Sequence, residues 1–146
     1  MKGLMKKKKE GFTLIELLLV LVILAALAAV VVPKFTSRSE QARLTAAKTD
    51  ISNLEVSLDA FEIDCGRYPT NSEGLRALIE QPANALGWKG PYLKKNAIPI
   101  DPWGKEYVYR YPGQFNRYGY DLYSYGKDGQ QGSEDDITNW SEEIIR

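Results

Sequence analysis

Four carboxylates crowd the stretch "YGKDGQQGSEDDITNW", Tyr125 to Trp140: Asp128, then Glu134, Asp135 and Asp136 beyond a glycine-rich turn. Clustered carboxylates repel one another unless a cation neutralises them, and Ca²⁺ takes about 6–8 oxygens in flexible loops. Gly126, Gly129 and Gly132 let the chain curl so that backbone carbonyls also face an ion. The spacing is not that of an EF-hand, so residue types alone leave two readings open: a calcium-holding loop and a solvated acidic turn. The donors are hard oxygens, which argues against zinc or copper. The chain has no histidine, which excludes a Ser-His-Asp triad, a Cys-His pair and any His-ligated zinc, and removes the usual general base at neutral pH. Cys65 stands alone, so no intrachain disulfide forms. This composition leans against catalysis.

A fifth carboxylate is stranger. Glu16 is the only charge among the 21 residues from Phe12 to Val32. As a helix, that run is roughly 31 Å long, matching a ~30 Å hydrocarbon core. A charge at depth there costs roughly 2.5–3.5 kcal/mol on insertion scales. Lys2 and Lys6 to Lys9 precede the run, with Glu10 the only acid among them, and form the basic end that stays cytoplasmic. A cleaved signal peptide would use these lysines and "ALA", Ala26 to Ala28, but its apolar core is usually about 7–15 residues. A plain signal anchor fits the length better. Neither accounts for Glu16. The 19 basic and 19 acidic residues cancel, so no general affinity for nucleic acid is expected.

The string "GFTLIE", Gly11 to Glu16, after a short lysine-rich leader resembles the class III leader of type IV pilins and of the pseudopilins of type II secretion. In that family a prepilin peptidase cuts after the glycine, here between Gly11 and Phe12, and methylates the new amine, here on Phe12. Glu16 becomes the fifth residue of the mature chain, where the family carries its glutamate. The resemblance implies that Glu16 neutralises the Phe12 amine of a neighbouring subunit and keys the register of assembly. Breaking such a buried pair costs roughly 3–5 kcal/mol.

The elements that must position these groups follow from periodicity. Leu44, Ala47, Ile51, Leu54, Leu58 and Phe61 recur at spacings of three and four, with Arg43, Lys48, Asp50, Glu55, Asp59 and Glu62 on other faces. Gly66 and Pro69 are stop signals, so one helix is expected from about Phe12 to Asp64. The stripe packs on a head domain in preference to forming a coiled-coil seam. Cys65, at its end, reads as a small buried hydrophobe. In "DCGRYPTNSEGLRALIEQP" a turn precedes a short helix capped by Asn71 or Ser72, with Leu75, Leu78 and Ile79 inward and Pro82 at its end. Residues 87–107 form an ordered loop rich in Gly, Pro and aromatics. Residues 105–113 and 118–126 alternate as an antiparallel strand pair, and a last strand lies near 137–140. Their tyrosines suit sheet packing better than ligand stacking.

The resemblance extends across the head, through Pro69, Gly74, Leu75, Trp88, Gly90, Pro91, Tyr92, Asp101, Pro102, Trp103 and Gly104, to the major pseudopilins of type II secretion. It implies an α+β, type IV pilin-like fold: a long N-terminal helix, membrane-spanning in its first half, packed on a small antiparallel sheet with a C-terminal calcium loop. The expected divisions are a leader at 1–11, a polymerisation helix at 12–32, its amphipathic periplasmic half at 33–65 and a head at 66–146. Asp128, Asp135 and Asp136 match the family's carboxylate ligands for Ca²⁺, with Tyr125 and Gln130 giving main-chain oxygens. The implied protein is a structural subunit held by a single pass in the inner membrane with its head in the periplasm. It would polymerise with other pseudopilin subunits through an inner-membrane assembly platform and a separate secretion ATPase, and export folded exoproteins. The chain has no phosphate-binding "GxxxxGK[ST]" loop of its own. Three alternatives remain. A type IV pilin usually closes a C-terminal cysteine loop, which lone Cys65 cannot form. A DNA-uptake pseudopilin lacks support from any basic patch with interleaved aromatics. A membrane-anchored periplasmic enzyme leaves Glu16 unexplained.

Overall fold

A computed structural model describes residues 11–141, with side chains except at 31–37. The lysine leader before Gly11 and the last residues of the expected head, 142–146, lie outside the described residues. Helix α1 runs Leu14–Cys65, close to the expected span. Thr13 opens it: its Oγ1 accepts the Glu16 N–H at 3.3 Å, satisfying one of the orphan donors of the first turn. Gly66 closes it with φ +70°, donating its N–H to the Glu62 carbonyl at 2.7 Å, an ending that glycine adopts without strain. The chain divides between Glu40 and Gln41 into two units, so the second unit includes the C-terminal part of α1.

In that second unit the apolar stripe is consumed by the head. Ala47, Ile51, Leu54, Leu58 and Phe61 are all buried, with Leu44 and Cys65 packed at the margin. Leu75, Ala77 and Leu78 join them from a short 3-10 helix, Gly74–Leu78, as do Ala85, Tyr107, Tyr120, Leu122 and Ile137. Each large apolar side chain buried in this way contributes about 1.5–3 kcal/mol. On this stretch of α1 the large apolar side chains left exposed are Val56 and Ile63, too few for a coiled-coil seam.

The short helix differs from expectation in type and in cap. Neither Asn71 nor Ser72 caps it. Thr70 and Glu73 instead bond reciprocally across the turn that precedes it, Thr70 N–H to Glu73 Oε2 at 2.8 Å and Glu73 N–H to Thr70 Oγ1 at 3.3 Å, while Glu73, at the helix N-cap, makes no side-chain cap bond. Asn71 is drawn to the sheet instead, donating to the Tyr111 carbonyl at 2.7 Å and accepting the Tyr111 N–H at 2.8 Å. Ile79 falls at the C-cap and is half-buried.

The loop after it is stapled to its neighbours. Trp88 Nε1 donates to the Ala77 carbonyl at 2.8 Å. The Tyr92 hydroxyl, pushed up to about 12 by burial, donates to Asp64 Oδ2 at 3.0 Å.

Three short strands follow: β1 Val108–Arg110, β2 Asp121–Ser124 and β3 Ile137–Thr138. They form an antiparallel sheet in the order β1-β2-β3, with Tyr109 opposite Leu122 and Ser124 opposite Ile137. Each lies inside its expected span but is shorter, because side chains take over the backbone groups at the ends. Buried Asp121 accepts the N–H groups of Gln114, Phe115 and Asn116 at 2.6, 3.1 and 2.8 Å, which curls the β1–β2 connection. Tyr107, Tyr120 and Tyr123 are buried, and Tyr68, Tyr109 and Tyr111 pack beside Tyr120 or each other, so these tyrosines build the core as expected. Tyr118 is the exception and stands in solvent.

Candidate functional site

Gly11 and Phe12 lie just before α1, and Glu16 sits in its first turn, where the helix dipole favours a carboxylate. Thr13 and Glu16 stand at capping-box spacing, with the Glu16 N–H donated to Thr13 Oγ1. Around Glu16 the surface is apolar: Phe12 and Leu14 are each 78 % exposed, and large side chains stay exposed through Leu27 to Val30. A soluble monomer rarely shows so long an apolar surface, which marks a partner or a lipid phase. Among the described residues no helix is long and apolar enough to cross a membrane.

The acidic loop joins β2 to β3. Its aspartates converge on a residue not singled out from the sequence, Ser133. The Ser133 hydroxyl lies 2.7 Å from Asp135 Oδ1, 3.1 Å from the Gln130 carbonyl, 3.2 Å from Asp128 Oδ1 and 3.4 Å from Asp136 Oδ1. A hydroxyl has one proton, so it answers one of these four acceptors at a time. Backbone donors add Gln130 N–H to Asp128 Oδ1 at 2.8 Å, Asp128 N–H to Asp135 Oδ2 at 2.9 Å and Gly132 N–H to Asp136 Oδ2 at 2.7 Å. The Ser133 hydroxyl, and then the Asp128 N–H, hold the Asp135 carboxyl below the usual range. Of the two main-chain oxygens expected at the site, that of Gln130 faces Ser133, while that of Tyr125 accepts the Gly129 N–H at 3.2 Å. Glu134 is exposed.

Among the described residues no group of three or more carboxylates or thiols is gathered to hold a metal ion as it stands. Ser133 takes the centre of the cluster. The donor set is nevertheless all oxygen, largely anionic and short of protons, which is the chemistry of a hard divalent cation.

A buried carboxylate from outside the loop holds its beginning in place. Buried Asp101 accepts the Ser124 hydroxyl at 2.6 Å, and Ser124 Oγ accepts the Gly126 N–H at 3.1 Å. At Gly126, φ is +62° and a β-carbon would strike the Asp135 carbonyl, so the two arms of the loop meet only because this residue is glycine. Lys105 reaches across from the segment before β1 to lie over Gly129. Neither Asp101 nor Lys105 is near the loop in sequence, and no local pattern places them there.

Comparison with known proteins agrees with this architecture. The family model described as "Type II secretion system (T2SS), protein G" matches residues 34–140, and the prokaryotic N-terminal methylation motif matches residues 6–32. The type II secretion system core protein G of Pseudomonas aeruginosa is 44% identical over 142 residues, covering 92% of this chain and 97% of that protein. That of Escherichia coli K12 is 44% identical over 137 residues, covering 91% and 92%. The crystal structure of the major pseudopilin from the type 2 secretion system of enterohaemorrhagic Escherichia coli aligns with a TM-score of 0.62 at 35% identity, covering 71% of this chain and 87% of that one. The chain belongs to the protein G family of the type II secretion system, the pseudopilins, and is a structural subunit of the pseudopilus and not an enzyme.

Proposed function

We propose that the chain is stored in the inner membrane through residues 12–32, with its head in the periplasm, until prepilin peptidase cuts between Gly11 and Phe12 and methylates the Phe12 amine. The subunits then polymerise as a homopolymer, fed by the inner-membrane assembly platform and driven by a separate ATPase, and filament growth moves folded exoproteins outward. One observation carries the reading: a single carboxylate, Glu16, in the first turn of a helix whose apolar side chains stand unpartnered from Phe12 to Val30. Packing that surface against neighbours removes it from water and brings Glu16 to the amine of an adjoining Phe12. An ion pair there neutralises two groups that neither lipid nor apolar side chains tolerate singly.

In the head, Asp128, Asp135 and Asp136 with the carbonyls of Tyr125 and Gln130 would hold one Ca²⁺. The ion supplies the positive charge that the single Ser133 proton cannot, and orders the loop for packing between heads.

A Glu16→Leu variant tests the assembly reading. N-terminal mass spectrometry should show methylated Phe12 in both parent and variant, since the cut site is intact. Filament yield and export should then fall by at least about tenfold in the variant, as expected from losing a few kcal/mol per subunit contact. A processed, folded variant that polymerises and exports like the parent overturns the reading.

A further inference from the structure

We propose that the groove between α1 and the β1–β2 connection is the docking site of the chain's own segment Glu142 to Arg146, with Ile144 and Ile145 on its apolar walls and Arg146 beside Glu55 and Asp59. The groove is open, with a volume of about 1170 Å³. Glu55, Val56 and Asp59 of α1 line one side, and residues 115–120 line the other. Two large apolar side chains on these walls face water, Val56 at 69% exposure and Tyr118 at full exposure. The wall that carries Tyr118 is held in shape by Asp121, which accepts three backbone N–H groups of the connection. A wall fixed beforehand loses little freedom when it is covered.

The same groove is short of positive charge. Glu55 and Asp59 lie one helical turn apart on one face of α1. Burial raises the Glu55 carboxyl above its usual range, against a hydrogen bond from Asn139, and the Asp59 charge adds to the rise. Asp59 accepts the hydroxyl of Tyr68 at 3.2 Å, a neutral donor. Arg117 also lines the groove. Yet the ion pairs of contact length among the described residues, Arg67–Glu73, Arg76–Glu80 and Lys89–Asp64, include neither acid and not Arg117.

The chain leaves β3 at this groove. Asn139 lines it and is fixed there, its Oδ1 accepting the Leu122 N–H at 2.9 Å and its Nδ2 donating to the Tyr120 carbonyl at 3.2 Å. Trp140 then stacks on Phe115 at 4.4 Å. After Ser141 the sequence continues Glu-Glu-Ile-Ile-Arg. Extended, that segment reaches roughly 17 Å, against about 6 Å of helix between Glu55 and Asp59. Glu142 and Glu143 come first, where Lys48 lines the adjoining recess together with Ser141. Two apolar side chains and a cation follow, the chemistry that Val56, Tyr118 and the acid pair lack. So short a tether gives an effective concentration of about millimolar, so a contact too weak to hold a free peptide suffices.

The test compares the full chain in detergent micelles with a chain stopped after Ser141, with Arg146→Gln, and with Ile144→Ser combined with Ile145→Ser. Hydroxyl-radical footprinting read by mass spectrometry reports the exposure of Val56 and Tyr118, and carbon-13 NMR follows the titration of Glu55 and Asp59. Both residues should be oxidised about three- to fivefold faster in the stopped chain and in the double serine variant than in the parent. Glu55 and Asp59 should titrate at higher pH in the stopped chain and in Arg146→Gln, because a neighbouring cation lowers a carboxyl. Isotope-labelled stopped chain mixed with excess unlabelled full chain should stay as reactive as it is alone. Equal oxidation of parent and stopped chain overturns the proposal, as does an unchanged titration of both acids in Arg146→Gln. Protection of the labelled stopped chain by the full chain overturns it too, and assigns the groove to a second copy.

Discussion

Glu73 meets Arg67 through two contacts, Nη1 to Oε2 at 2.7 Å and Nη2 to Oε1 at 2.8 Å, while also accepting the Thr70 N–H. Such a forked, charge-assisted pair is stronger than a single surface contact. The Arg67 guanidinium holds the Glu73 carboxyl down from 4.5 to about 2. The folded-state value is depressed, so its stabilisation is fully present above about pH 4.5 and is lost as pH falls towards about 2. Glu73→Gln should therefore cost about 1–2 kcal/mol at pH 7 in urea denaturation. The gap between parent and variant should close as the measurement moves from pH 5 to roughly pH 2. A gap that does not change with pH would mean that shape, and not charge, is what Glu73 contributes. The pair was legible, since Thr70-x-x-Glu73 has the capping-box spacing, but its bonds close the turn before the short helix and do not cap that helix. Asn71 and Ser72 are equally good cap residues by type, and only the pull of the Tyr111 backbone on Asn71 decides against it.

At the scale of elements, two glycines bracket the connection between α1 and the loop that folds back on its end. Gly66 has φ +70° and open space around a would-be β-carbon, so it is needed for conformation alone. At Gly87, by contrast, a β-carbon would land on the Asp64 carbonyl, so the demand is for space. Gly66→Ala should cost about 1 kcal/mol, the strain of one left-handed residue, whereas Gly87→Ala should cost about 2–3 kcal/mol because backbone must move. Paired denaturant titrations read both, and equal costs would show that the loop yields freely at Gly87. The helix was legible along its length because period, stop signals and capping agree. The strands were legible in place and order but not in length. Asp121, which ends the pairing by drawing three backbone N–H groups to itself, looks in sequence like any polar residue alternating in a strand. The acidic loop was legible as a cluster of charges. Its centre was not, because Ser133 is an ordinary loop residue by type, and Asp101 and Lys105 arrive from more than one turn of chain away.

For the molecule as a whole, the calcium reading ties one loop to the stability of the head. A ligand that binds only the folded state stabilises it by mass action, about 2.7 kcal/mol at a hundred times its Kd. In a domain of this size each kcal/mol moves the melting temperature by about 4–8 °C. Saturating calcium should therefore raise the melting temperature of the parent by roughly 10 °C or more over chelator. Asp128→Ala removes a carboxylate that in the metal-free loop holds only the Gln130 N–H and one approach to Ser133. In chelator the variant should melt within a few degrees of the parent, about the cost of one exposed hydrogen bond. In calcium it should lose most of the gain. Trp140, stacked on Phe115 at 4.4 Å just beyond β3, gives a fluorescence signal close to the loop for following both transitions. If parent and variant rise equally with calcium, Asp128 is not a ligand; if neither rises, the aspartates answer only to Ser133 and to the charges of their own chain.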